Sequence, residues 1–143
     1  MLSAGELRSY IKDNAAFNKL FHEQEFTVTE IQQALDWAAK GALGIEPFIA
    51  DFDPTTLPDT IMLDGALWRL FDSASAGEIR NQSNLAEQNI PITVGQNGLM
   101  YERLAEKYKN RFDMAVNKFK LSVNFDNAMI GQASPYSTSD GDW

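Results

Sequence analysis

The chain has 143 residues, 44% hydrophobic and 22% charged, enough for one globular domain with a modest core. No apolar run approaches the ~20 residues of a membrane helix, and with no cysteine the sequence excludes disulfides, thiolate nucleophiles and cysteine-based zinc sites. The net charge of −8 is uneven: six basic side chains face three acidic ones in residues 98–124, against six and fourteen in residues 1–97, while residues 125–143 carry only Asp126, Asp140 and Asp142.

Met1 to Asn14 has neither the basic start nor the apolar stretch of a signal peptide, so the chain is expected to be made and kept in a cytoplasm. The sequon-like Asn81-Gln82-Ser83 then has no glycan to carry. Ser3-Ala4-Gly5-Glu6 matches a capping box, which predicts a first helix to about Asp13 burying Leu7, Tyr10 and Ile11. Phe17, Leu20 and Phe21 continue an apolar face through a short second turn or helix. At Phe26-Thr27-Val28-Thr29-Glu30-Ile31 the start signal is stronger, with Thr27 as N-cap, Glu30 three residues on, and Phe26 placed to staple onto Ile31. The helix it opens presents Ile31, Ala34, Leu35 and Ala38, with Trp37 beside them, and is expected to stop near Gly41 or Gly44.

Residues 45–57 form a connector with two prolines and a possible extended piece at Phe48-Ile49-Ala50. Pro58 suits the first position of the next helix, which carries Ile61, Met62, Leu63, Ala66, Leu67, Leu70 and Phe71 before turning to Ser73, Ala74, Ser75, Ala76 and Gly77. That pattern predicts a central helix closely crossed by another, fading after Arg80. Ile90-Pro91-Ile92-Thr93-Val94 reads as a short strand or extended arm, its proline favouring an edge.

The most regular stretch is Asn97 to Asn124. Its apolar positions, among them Tyr101, Leu104, Tyr108, Phe112, Val116, Phe119 and Val123, recur in threes and fours and define one long amphipathic helix. At ~1.5 Å per residue it would be roughly 40 Å long, more than a small domain needs for its own core. The other face is read as charged, from Glu102 to Lys120, and as solvated or partner-facing, because Glu102, Glu106 and Asp113 interrupt any phosphate-binding stripe. Residues 125–143 lack helical period and read as a disordered end or as an arm that orders on a neighbouring chain. The fold class expected is mainly α: a small bundle of about four helices over residues 1–124, with a long C-terminal amphipathic helix, a short extended segment near 90–94, and an extended C-terminal arm over 125–143.

Chemistry is sparse. Asp51-Phe52-Asp53-Pro54-Thr55 after Pro47-Phe48-Ile49-Ala50 resembles the first motif of haloacid-dehalogenase-type phosphotransferases, in which two aspartates serve magnesium and phosphate as nucleophile and general acid/base. The later motifs and alternating strands of that fold do not follow, so an Asp-Pro turn is the plainer reading. A calcium loop fails because Leu57 and Met62 stand where a glycine and a glutamate belong. His22 has no partner nearby in sequence, and no Gly-x-Ser-x-Gly elbow, Walker-type loop or Gly-x-Gly-x-x-Gly turn is present. No catalytic, cofactor or metal site is expected.

The order of these signals resembles the head-to-tail connector (adaptor, or head-completion) proteins of tailed bacteriophages. A short first helix containing Glu6-Leu7-Arg8-Ser9-Tyr10-Ile11 precedes an alanine-rich helix, Glu30 to Ala39; Leu57-Pro58-Asp59-Thr60-Ile61 starts a central helix that ends in Glu78-Ile79-Arg80-Asn81-Gln82, and a long helix and C-terminal arm follow. The resemblance implies a structural virion protein of the neck, made in the host cytoplasm, that forms a ring, commonly of about twelve subunits. Such a ring sits under the portal protein, meets a tail or neck protein, and lets DNA pass without specific binding. It implies subunit packing through Tyr101, Tyr108, Phe112 and Phe119, and portal or neighbour contacts through Phe125, Met129, Ile130, Pro135, Tyr136 and Trp143. Alternatives are a small acidic helical binding module and, further off, a magnesium-dependent phosphohydrolase at Asp51 and Asp53.

Overall fold

The computed structural model describes residues 2–11, 25–87 and 95–130, and of residues 80–87, 95–97, 129 and 130 the backbone alone. Four α-helices pack as a small bundle: α1 (Ala4–Ile11), α2 (Val28–Leu43), α3 (Asp59–Glu87) and α4 (Gly95–Ile130), with a 3-10 turn at Pro54–Thr56. No strand occurs among the described residues, and Phe48-Ile49-Ala50 forms none.

Both capping boxes form. Ser3 N–H donates to Glu6 Oε2 at 2.8 Å and Glu6 N–H to Ser3 Oγ at 3.3 Å; Thr27 and Glu30 repeat the exchange at 2.7 and 3.2 Å. Phe26 and Ile31 are buried together, as the staple requires, and α2 ends at Gly44. Tyr10, expected inside, is exposed. A helix this short buries one turn against α2, and Leu7 occupies that position. α3 starts one residue later than expected, so Pro58 accepts the first helical bonds from Ile61 and Met62.

α3 is the middle layer, antiparallel to α2 on one side and α4 on the other. The closest approach lies at Gly65, where a Cβ would come within 2.7 Å of the Phe112 ring and 2.8 Å of Ala38 Cβ. Three helices therefore meet at a position without a side chain. The small-residue half was expected to take that crossing; instead Ser75 donates to the Gly98 carbonyl at 3.3 Å and Gly77 faces open space. The core runs from Leu7, Ile31, Leu35, Leu67 and Leu70 at one end to Ala38, Leu57, Met62, Phe112 and Val116 at the other. Burying each large member contributes about 1.5–3 kcal/mol.

Three further boundaries differ from the sequence reading. α3 continues past Arg80 to Glu87, since no glycine or proline interrupts it before Pro91. α4 starts at Gly95 rather than near Asn97. It also continues past Asn124, so Phe125–Ile130, expected in an extended arm, are helical: Leu121, Phe125, Ala128 and Met129 keep helical spacing, and the next glycine is Gly131. At 36 residues, α4 is roughly 54 Å long. The expected second turn at Phe17–Phe21, the segment at 90–94 and the arm over 131–143 lie outside the described residues.

Candidate functional site

The four aromatics implied as subunit-packing residues are used within the chain. Phe112 is 0% exposed, tilted against Trp68 at 6.1 Å. Tyr101 and Tyr108 stack on the two sides of Phe71 at 6.0 and 5.8 Å, and Phe119 meets Phe52 edge-on at 6.3 Å. The Tyr101 hydroxyl donates to Glu25 Oε1 at 2.5 Å; burial, then this carboxylate, pushes the phenol well above its ordinary range. Burial also raises Tyr108. This stripe packs α4 against α3 and, at Phe119, against the connector.

Of the implied partner-binding residues, Phe125 is 66% exposed. Met129 and Ile130 lie on the last turn of α4, while Pro135, Tyr136 and Trp143 fall outside the described residues, as does His22.

The aspartate motif builds a turn. Asp53 caps the Pro54–Thr56 helix, its Oδ1 accepting from Thr55 N–H at 2.9 Å. Hydrogen bonds from Thr55 hold its carboxyl below the usual range. Asp51 sits at φ 58° on the exposed connector. Among the described residues no three His, Cys, Asp or Glu side chains are placed to hold a metal ion, and no helix is long and apolar enough to cross a membrane.

Two charged groups enter the interior. Lys120, read as part of the solvated face, is 1% exposed: its ammonium donates to the Ile45 carbonyl at 2.5 Å and, more weakly, to Leu43 O at 3.4 Å, with the Phe52 ring 4.9 Å away. It closes the carbonyl end of α2, where the helix dipole favours a cation, while desolvation lowers its pKa. The correction was latent in the spacing, because Lys120 follows Val116 by four and Phe112 by eight at the stripe's edge. Asp64 is buried beside Arg111, 3.3 Å from its Nε. Burial raises the Asp64 carboxyl, opposed by Arg111 and then Lys107.

Two surfaces remain. The first is an open groove of about 600 Å³ between α2 and α3, closed at one end by Tyr101. Glu25, Glu30, Asp72 and Glu78 line it, and its one basic lining residue, Arg69, lies flat over Trp68 at 4.0 Å and near Trp37 at 5.5 Å. Arg69 Nε is buried without a hydrogen-bond partner. Ser73, Ala74, Ala76 and Gly77 line the groove too, which is where the small-residue run finds its use.

The second surface is the outward face of α4. Arg103, Lys107, Met114, Lys118, Leu121 and Phe125 follow one another in steps of four, seven, four, three and four, hence share one face. All are exposed, Met114 at 60% and Leu121 at 53%. Glu102, Glu106 and Asp113 keep their own four-and-seven spacing on a flank, so the face's own helical positions carry no carboxylate, although Asp113 and Glu46 of the connector border it at Met114 and Lys118. Past Val123 the helix projects beyond α2, and every side chain from Asn124 to Ala128 is exposed.

No family model, no curated protein and no solved structure matches this chain.

Proposed function

We propose that the protein is a structural subunit of a phage neck, a head-to-tail connector that assembles as a ring under the portal protein, receives a tail or neck protein, and surrounds the channel through which DNA passes. The observation that carries the reading is α4. It runs roughly 54 Å, far past the 16-residue α2 beside it, and carries an exposed face of methionine, leucine, phenylalanine and basic side chains that the protomer's own core does not use. Leu121 and Phe125, one helical turn apart on that face, are the apolar part of it that a partner would cover. The reading takes the role as structural; Asp53, the second aspartate of the phosphotransferase-like motif, caps a turn.

The test is mass in solution, alone and mixed with an isolated portal ring, by native mass spectrometry. A connector joins the portal in ring stoichiometry. The competing reading, a small acidic helical binding module, is favoured by the acidic groove and predicts a monomer or dimer indifferent to portal. Deleting residues 131–143 separates the tail from the helix: portal attachment should fall if Pro135, Tyr136 and Trp143 anchor the subunit, and undiminished attachment would remove the tail from the proposal.

A further inference from the structure

We infer that the outward face of α4 docks in the α2/α3 groove of a second copy of this chain, head to tail. The inference deepens the ring reading and rests on it for the head-to-tail arrangement and its closure.

Charge selects the occupant. The groove presents Asp72 and Glu78, beside Glu25, which accepts from the Tyr101 hydroxyl, and Glu30, which closes the α2 capping box; its one basic lining residue, Arg69, lies over the Trp68 ring. The face that would enter it carries Arg103, Lys107 and Lys118 and no carboxylate at its own helical positions, although the whole chain is net −8. A free protein of that charge gains from bringing its segregated basic stripe against its own acidic cleft. Shape agrees: small residues line the groove, and Met114, Leu121 and Phe125 supply the anchors at helical spacing that a groove-docked helix uses.

The ring reading selects the symmetry. The groove lies along the first half of α2, at Glu30 to Trp37, whereas Lys120 fixes the projecting part of α4 to the carbonyl end of α2 at Leu43 and Ile45. The face itself runs the length of α4, from Arg103, two positions past Tyr101 at the groove's end, to Phe125, on the side turned away from the stripe that packs on α3. A reciprocal pair about a two-fold axis would fill both surfaces at once; made head to tail, the contact leaves one groove and one helix unfilled and propagates until a ring closes or a filament grows.

The experiment uses the full chain and sedimentation velocity at concentrations up to about 100 µM. Wild type should exceed a dimer, and raising the salt from about 0.05 to about 0.5 M should weaken association tenfold or more. Asp72→Lys with Glu78→Lys spoils the groove; Arg103→Glu with Lys118→Glu spoils the helix face. Each pair should leave a monomer with unchanged helical circular dichroism. Mixed, the two variants should form a single 1:1 complex that cannot grow, because each retains the half the other lacks. Phe125→Ser, on the projecting turn where no core depends on it, should also weaken assembly.

Three results overturn the inference: a wild type that never exceeds a dimer, association insensitive to both reversals, or association lost only on deleting residues 131–143, which would make the tail the occupant. Duplex DNA bound by a monomeric wild type and released by the helix-face reversal would assign that face to phosphate instead. The connector reading fails separately. Self-association without portal binding sinks that reading alone, and ring-stoichiometric portal binding by both reversed variants sinks the docking alone.

Discussion

Gly65 and Gly77 stand on the same helix and differ only in what faces them. At Gly65 an added methyl group meets the buried Phe112 ring and Ala38, neither of which can step aside. Overpacking of this kind costs about 1–3 kcal/mol, more than the ~1 kcal/mol that alanine gains in a helix. Gly65→Ala should lower the thermal midpoint, and Gly77→Ala, with nothing within 4 Å, should raise it. Equal shifts of the same sign would mean the helices do not meet at Gly65.

Lys120 gives a pH signature. Its amine titrates near 10.5 when unfolded and lower when folded, so between those values the unfolded chain holds more protons. The desolvation cost is fully present below the folded pKa and is relieved as pH rises through that window. Tyr101 and Tyr108 act oppositely: their folded phenols lie above 10.0, so the stability they supply is present below pH 10 and lost above it. Urea titrations of wild type and Lys120→Met, both carrying the tyrosines, should therefore show wild type gaining on the variant as pH approaches 10.5. A difference that stays flat from pH 7 to 10.5 would rule out a desolvated amine.

Among the elements, α2 is the best specified by local signals. Thr27 accepts from Glu30 N–H, Glu30 returns the bond, and Phe26 packs with Ile31. Thr27→Ala removes one half of that exchange and should cost about 1 kcal/mol, read as a lower urea midpoint at unchanged slope. An unchanged midpoint would mean that tertiary packing alone holds the start of α2. α1 leans on less: a capping box, one buried leucine, and Arg8 donating to the Phe26 carbonyl at 2.6 Å. α4 combines two amphipathic patterns. The inward aromatic stripe is strong enough to hide the outward one, which mixes basic and apolar residues and becomes visible only once the helix is followed past Asn124.

At the scale of the molecule, the separation of charge is the property with consequences. A basic stripe on α4 and an acidic groove lined by α2 and α3 make the surface complementary to itself, although the overall charge of −8 would keep copies apart. Self-association should therefore be a low-salt property that fades as screening shortens toward the ~8 Å Debye length of physiological salt and below. Increasing association on adding salt would point to apolar contacts at Met114, Leu121 and Phe125 as the dominant attraction.

The helical class, both capping boxes, the end of α2 and the inward stripe of α4 were legible in the sequence. These features depend on residues within about four positions of one another, the range over which a helix hydrogen-bonds and a face repeats. What only the tertiary structure decided depends on partners far apart in the chain. Tyr10 and Trp37 lie outside, Lys120 lies inside, Gly65 is the crossing point, and Arg69 lies near the Trp37 ring. Burial belongs to a pair of surfaces rather than to a residue. The 77 positions between Leu43 and Lys120 carry no local trace of the contact that joins them.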